Sequence, residues 1–193
     1  MSFDEVLVRH CSPALMGIKP ANLVTIDFTS FPQSFSVLAS LNTTLNKDGI
    51  FFTPLAVADN KLLLMVYNRI LLSRCFAVPE HRRFLLDHKY PVQQGFAAIM
   101  AELAARFASA WSQTGEFPHE IGLFLGYPLG DVQGFIKNHG KNYKLSGIWK
   151  VYGDAEEARH LFKQYSECTK RCTEQFLQGI SIGQLCKSAQ SGR

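Results

Sequence analysis

The stretch that decides the fold is GIFFTPLAVADNKLLLMVYN, residues 49–68, because it contains two apolar segments separated by a tight turn. The segments are rich in the aliphatic and aromatic residues that strands favour. Between them, Ala58-Asp59-Asn60-Lys61 supplies the Asp and Asn that suit a sharp reversal. The stretch therefore predicts a β-hairpin, which argues against a purely parallel sheet.

Outward from this hairpin, one further strand is expected on each side, at residues 23–28 (LVTIDF) and 146–153 (SGIWKVYG). Helical spacing of apolar residues predicts the remaining elements: residues 35–46 with Ser34 as N-cap, 70–76, a helix from Pro79, 94–111, and 155–177 with Asp154 as N-cap. We therefore predict an α+β fold, in which several helices cover a small mixed or antiparallel sheet containing the hairpin. Residues 1–186 are expected to form a single α+β domain, and residues 187–193 a flexible tail.

Composition excludes several classes of protein. The 193 residues are 47% hydrophobic and 19% charged, which is enough apolar material for a sizeable core. A net charge of +4 and one short basic cluster at residues 137–144 do not predict nucleic-acid binding. No apolar run approaches the ~18 residues of a membrane span. Five cysteines without a secretion signal favour reduced thiols, so we expect a cytoplasmic protein with neither nucleic acid nor membrane as partner.

Residues 117–136, FPHEIGLFLGYPLGDVQGFI, hold four glycines and two prolines within a helical pattern. The pattern predicts two short helices joined by a tight Gly126-Tyr127-Pro128 elbow, since a residue before proline avoids helical angles. The first helix is expected to begin near Pro118 and the second at Asp131. Glycines in such a segment allow close approach of backbones.

Three blocks of sequence resemble the bacterial family called domain of unknown function 3793. They are HCSPALMGIKPANL at residues 10–23, the glycine-rich stretch at 117–136, and GKNYKLSGIWKVYGDAEEARHLFKQYSEC at 140–168. The resemblance implies a single-domain protein of anaerobic, mostly gut-dwelling Firmicutes, for which no activity is established. It also implies a loose association with flavodoxin and iron-uptake genes. Asn68-Arg69 departs from the Tyr-Arg pair expected in relatives.

Candidate chemistry near the N-terminus lies in two pairs of residues. His10 and Cys11 stand at a Ser-Pro bend, where a thiolate nucleophile or soft metal ligand is one interpretation and a buried, inert cysteine is the commoner one. Lys19 and Asn22 flank a proline before a predicted strand. They suit a phosphate or carboxylate ligand, or ordinary turn chemistry.

A second group of candidates lies in the latter half of the chain. His119 and Glu120 are adjacent and point about 100° apart on a helix, and no HExxH motif follows, so His119 is a ligand or acid–base candidate on its own or a structural residue. Lys150 and Tyr152 share one face of a predicted strand. With Tyr127 they could stack a flat anionic ligand such as a flavin or tetrapyrrole, or lie on an ordinary exposed face.

Other sites are disfavoured by spacing. Cys168 and Cys172 share a helix face, and with Cys186 they form a weak candidate for a metal site. Nucleotide-binding glycine loops and a nucleophile elbow do not occur.

The sequence therefore favours a binding module for a small, flat or anionic ligand, with no cofactor specified. The alternatives are an enzyme that uses Cys11 or His119 as its reactive group, and a module that docks a flavodoxin-like protein. The predicted ligand-binding residues are His10, Cys11, Lys19, Asn22, His119, Glu120, Tyr127, Lys150 and Tyr152.

Overall fold

The structure is a computed structural model that describes residues 1–112 and 115–191. The described helices are α1 Phe3–Leu15, α2 Ser34–Leu45, α3 Arg69–Ala77, α4 Pro79–Asp87, α5 Phe96–Trp111, α6 Ile121–Phe124, α7 Leu129–Asn138, α8 Ala155–Leu177 and α9 Ile182–Ser191. The described strands are β1 Ala21–Asp27, β2 Ile50–Ala58, β3 Lys61–Asn68, β4 Leu145–Ser146 and β5 Lys150–Val151. Two 3-10 turns, Asn46–Asp48 and Val92–Gln94, complete the regular elements. The α+β prediction is confirmed.

The main sheet is antiparallel, with strand order β1-β3-β2. The hairpin is confirmed, and its turn residues Asp59 and Asn60 adopt the positive φ angles of 49° and 59° that tight hairpin turns require. Strand β2 carries a register shift between Pro54 and Ala56. A proline is tolerated there because β2 is an edge strand.

Strand β3 is buried on both faces, which explains its unbroken apolar run. Leu62, Leu64 and Val66 face a core shared with α1, α2, α8 and α9. Leu63, Met65 and Tyr67 face a second core formed with α3 to α7. The sheet is therefore a central layer between two groups of helices.

A smaller hairpin, β4–β5, packs on α8. Trp149 and Val151 bury their side chains against Ala158 and Tyr165 of that helix. The single strand predicted at 146–153 is therefore wrong: two two-residue strands flank a turn at residues 147–149. Propensity could not reveal this, because the hairpin is held by contacts with α7 and α8 and not by a long ladder.

Helix ends test the predicted caps. Asp154 caps α8 as predicted, accepting hydrogen bonds from the backbone N–H of Glu156 and Glu157. Ser34 does not cap α2, since its hydroxyl donates to the Phe31 carbonyl instead. Helix α9 extends into the segment 187–193 that was expected to be flexible. The domain boundary at residue 186 stays a prediction.

Candidate functional site

The glycine-rich elbow brings two distant turns together. Gly126 adopts a φ of 74°, and a Cβ added there would lie 2.4 Å from Pro20 Cδ. Only glycine allows this approach, so the backbone of the elbow lies directly against the turn that follows α1. As a result Tyr127 lies beside Lys19, two residues that are more than a hundred positions apart in sequence.

The N-terminal turn is shaped by Pro13 and Asn22. Pro13 lies inside the last turn of α1, where the helical hydrogen-bond ladder is disturbed. The backbone N–H of Ala14, next to this proline, donates to Asn22 Oδ1 at 3.1 Å. This bond fixes the orientation of the Asn22 amide, so its NH₂ group is the part left to meet a ligand.

Lys19 is the most unusual side chain of this region. Only 3% of its surface is exposed, yet its ammonium has no hydrogen-bond or carboxylate partner among the described residues. Its Nζ lies over two aromatic rings, 5.1 Å from the centroid of Tyr127 and 5.8 Å from that of Tyr165. The rings attract a cation, but they do not replace hydrogen-bond acceptors.

Burial lowers the pKa of Lys19 from 10.5 to about 8, and the nearby Cys11 offsets only part of this effect. The phenol of Tyr127 responds in the opposite direction, because burial and the neighbouring Tyr165 raise its pKa to about 12. At neutral pH the Lys19 ammonium and the Tyr127 phenol are therefore both protonated, and both can donate hydrogen bonds.

We define the donor cleft as the cavity of about 620 Å³ that Lys19, Asn22 and Tyr165 line between α1 and α8. His10 and Lys170 add basic groups at its edge, while Glu174 is the one carboxylate along the described lining. Within the described chain the Tyr165 hydroxyl makes no hydrogen bond. Several donors for which the described residues supply no acceptor thus line one cavity, which is the arrangement that suits an oxyanion.

A second cavity of about 320 Å³ lies on the other side of Tyr127. We define this aromatic pocket by Phe117, His119, Tyr127, Phe135 and Trp149, whose rings line it. It contains three of the predicted site residues, His119, Tyr127 and Lys150. Exposed Ile148, in the turn of the small hairpin, borders both cavities.

Asp131 fixes one wall of this pocket. Its buried carboxylate accepts hydrogen bonds from Trp149 Nε1 at 2.7 Å and from the backbone N–H groups of Tyr152 and Gly153 at 2.8 and 2.7 Å. Asp131 therefore attaches the small hairpin to α7 and does not begin the helix as predicted. Tyr152 packs against Gly134, outside the lining of either cavity.

Cys11 and Glu120 lie away from both linings. Cys11 is fully buried, and burial raises the pKa of its thiol to about 12, so it stays protonated at neutral pH. Glu120 accepts hydrogen bonds from Tyr90 Oη at 3.0 Å and Arg106 Nη1 at 2.8 Å. These partners satisfy a buried carboxylate and give it a structural role.

Cys75 and His81 form a pair that the sequence did not indicate. The Cys75 thiol lies 3.3 Å from His81 Nδ1, but that nitrogen also donates to the Cys75 carbonyl at 2.9 Å. A protonated Nδ1 cannot accept the thiol proton, and burial raises the pKa of Cys75 to about 11. The pair is therefore not an activated nucleophile.

Metal ligands do not cluster in the part of the chain that the structure describes: nowhere in it do three His, Cys, Asp or Glu side chains come close enough to hold an ion. Cys168 and Cys172 lie with Cys186 in the apolar core. A hydrogen bond between the two helical thiols raises the pKa of Cys168.

None of the helices in residues 1–112 and 115–191 is long and apolar enough to cross a membrane.

Tyr165 is a site residue that the sequence analysis did not select, because it lies at apolar spacing on α8 and packs with Ala158 and Trp149. The spacing of hydroxyl residues after Tyr165 could have indicated its place in the site. Thr169 and Thr173 follow Tyr165 at four-residue spacing and also line the donor cleft, so one edge of the helix carries a row of hydroxyls.

The comparison with protein families agrees with the resemblance seen in the sequence. The family model described as "Protein of unknown function (DUF3793)" matches residues 7–186, which include the α1 turn, the elbow, the small hairpin and α8. No curated protein and no solved structure matches the chain. Because the match spans most of its length, the chain belongs to the DUF3793 family.

Proposed function

We propose that this protein binds a small molecule through an oxyanion, a carboxylate or phosphate group, that occupies the donor cleft. The observation that carries the proposal is the Lys19 ammonium, which is nine-tenths buried and has no acceptor among the described residues. Burying a charge without a partner is costly, and an anion would supply both the charge and the missing acceptors.

The neighbouring groups support the same class of ligand. Asn22 presents its NH₂ group because its oxygen is occupied by Ala14 N–H, and Tyr165 adds a hydroxyl that has no hydrogen-bond partner among the described residues. His10 and Lys170 make the rim predominantly basic. A volume of about 620 Å³ leaves room for a metabolite-sized molecule beyond the anionic group.

The direct test is isothermal titration calorimetry with sulfate and with succinate. A single charge-assisted hydrogen bond contributes about 1.5–3 kcal/mol, so Lys19→Met is expected to weaken binding about 10- to 100-fold. The matched control is Lys170→Met, which removes an exposed charge from the same cleft and should change affinity less than about threefold. Equal affinity of wild type and Lys19→Met for both anions would disprove the proposal.

The pH dependence provides a second readout. Sulfate keeps its charge between pH 6 and 10 while Lys19 loses its proton near pH 8, so sulfate affinity should fall above that pH. Native mass spectrometry of protein purified without added anions would then identify a co-purifying ligand. A cytoplasmic location, a bacterial origin, a link to iron and redox metabolism, and a flavodoxin-like partner rest on the sequence alone and stay predictions.

A further inference from the structure

The aromatic pocket is bounded by two sets of rings from different parts of the fold. In one set the ring centroids of Phe117 and Phe135 lie 5.3 and 5.1 Å from that of His119. In the second set Tyr127 and Trp149 are stacked at 4.8 Å with an interplanar angle of 25°. Both sets line the same cavity of about 320 Å³.

The second wall is held rigidly. Asp131 fixes the indole nitrogen of Trp149, and Phe162 of α8 packs edge-on behind the indole at 4.5 Å. Trp149 is therefore supported from its edge and from behind, which keeps its ring in place when the pocket is empty. A preformed wall of this kind avoids the entropy cost of ordering side chains on binding.

The polar groups of the pocket are donors with remaining capacity. The His119 imidazole is exposed and makes no hydrogen bond within the described chain. Lys150 Nζ donates to the Gly140 carbonyl at 2.7 Å, which leaves two of its hydrogens. Asp131, whose carboxylate also lines the pocket, already accepts three hydrogen bonds from the protein.

From this arrangement we infer that the aromatic pocket binds a planar aromatic ring that carries a hydrogen-bond acceptor such as a carbonyl oxygen. The lining rings can contact a planar aromatic ring edge-to-face or offset-stacked, whereas a saturated ring of equal size loses that preference. The acceptor would meet His119 or Lys150. This inference is independent of the proposed oxyanion site, because Lys19 is not part of the pocket lining.

The test uses coumarin, a neutral planar lactone, and octahydrocoumarin, its saturated and non-planar analogue. The chain has two tryptophans, so ¹⁵N-labelled protein gives two indole resonances, and a Trp111→Phe variant assigns the Trp149 signal. We expect coumarin to shift the Trp149 indole resonance saturably and octahydrocoumarin to bind several-fold more weakly. Neutral probes avoid competition from the donor cleft.

Two variants link the shift to the pocket. Phe135→Leu keeps apolar bulk but removes one ring, and it is expected to weaken coumarin about two- to tenfold. His119→Leu changes an exposed side chain and keeps the test valid if Phe135→Leu fails to fold. Phe35→Leu, at an exposed aromatic of α2, is the matched control and should leave affinity unchanged. No saturable shift, equal affinity for the saturated analogue, or unchanged affinity in both pocket variants would overturn the inference.

Discussion

Replacing Lys19 by methionine should make the protein more stable. Methionine has nearly the length of the lysine stem but no charge. The pKa of Lys19 falls from 10.5 to about 8 on folding, and at about 1.4 kcal/mol per pH unit this corresponds to about 3 kcal/mol lost by burying the ammonium. Attraction to the rings of Tyr127 and Tyr165 offsets about 1–2 kcal/mol of that loss. The free energy of unfolding should therefore rise by about 1–2 kcal/mol at neutral pH.

The effect has a defined pH dependence. Below pH 8, Lys19 is protonated in the folded and unfolded states, so the folded protein bears the full cost. Between pH 8 and 10.5 only the unfolded chain keeps the proton on Lys19. The free energy of unfolding of the wild type therefore rises with pH across this interval. The difference between Lys19→Met and wild type should accordingly shrink across that interval. Titration of groups remote from Lys19 is common to both proteins and cancels in the difference.

The measurement is urea unfolding of both proteins at pH 6.5 and 9.5, in buffer free of phosphate and sulfate. Thermal unfolding gives a second scale, since each kcal/mol shifts Tm by about 2–4 °C in a chain of this size. Lys170→Met, at an exposed lysine of α8, should stay within about 0.5 kcal/mol of wild type. A less stable Lys19→Met protein, or a difference that does not shrink with pH, would refute the argument that the ammonium is buried without a partner.

Four further predictions concern the residues that support the site and the buried thiol of Cys11. Asp131→Ala should lower the free energy of unfolding by about 2–4 kcal/mol and move the Trp149 indole resonance, because the buried indole N–H and two partly buried backbone N–H groups lose their acceptor. Gly126→Ala should destabilise by more than about 1 kcal/mol, because the φ of 74° and the facing proline leave no room for a Cβ. Gly130→Ala, in α7 with open space around it, should stabilise by up to about 1 kcal/mol. Cys11 should resist iodoacetamide at pH 7 in the folded protein and react once urea unfolds it, as followed by peptide mass spectrometry.

Each of these outcomes can fail in a recognisable way. An Asp131→Ala protein with unchanged stability would mean that the small hairpin is held by packing alone. If Gly126→Ala and Gly130→Ala behave alike, the close contact between the elbow and Pro20 does not limit the backbone. Rapid alkylation of Cys11 in the native state would mean that the interior of α1 opens readily to solvent.

Local signals were sufficient for much of the fold. The hairpin turn at Asp59 and Asn60 and the cap at Asp154 could be predicted because each depends on neighbours within a few residues. The two-residue strands β4 and β5 could not, since their geometry depends on Asp131, which lies on another element.

The candidate site was predictable only residue by residue. Lys19 and Tyr127 were selected for their chemistry, but their proximity depends on Gly126 meeting Pro20 across a long loop of sequence. The adjacent pair His119 and Glu120 separates in the structure, with His119 exposed and Glu120 buried, because neighbouring residues of a turn point in different directions. Residue type thus indicated candidates, while tertiary packing determined which of them share a cavity.

The packing of α1 on α8 has a consequence for how the protein is made. The apolar face of α1, including Leu7 and Cys11, is covered in part by Cys168 and Cys172 of α8, near the other end of the chain. A ribosome adds roughly 5–20 residues per second, so α1 waits several seconds or longer before α8 emerges. During that interval its apolar face is open to other nascent chains and to chaperones, and the donor cleft does not exist. Helix α1 thus reaches its final environment only after α8, which is synthesised well after it, has emerged.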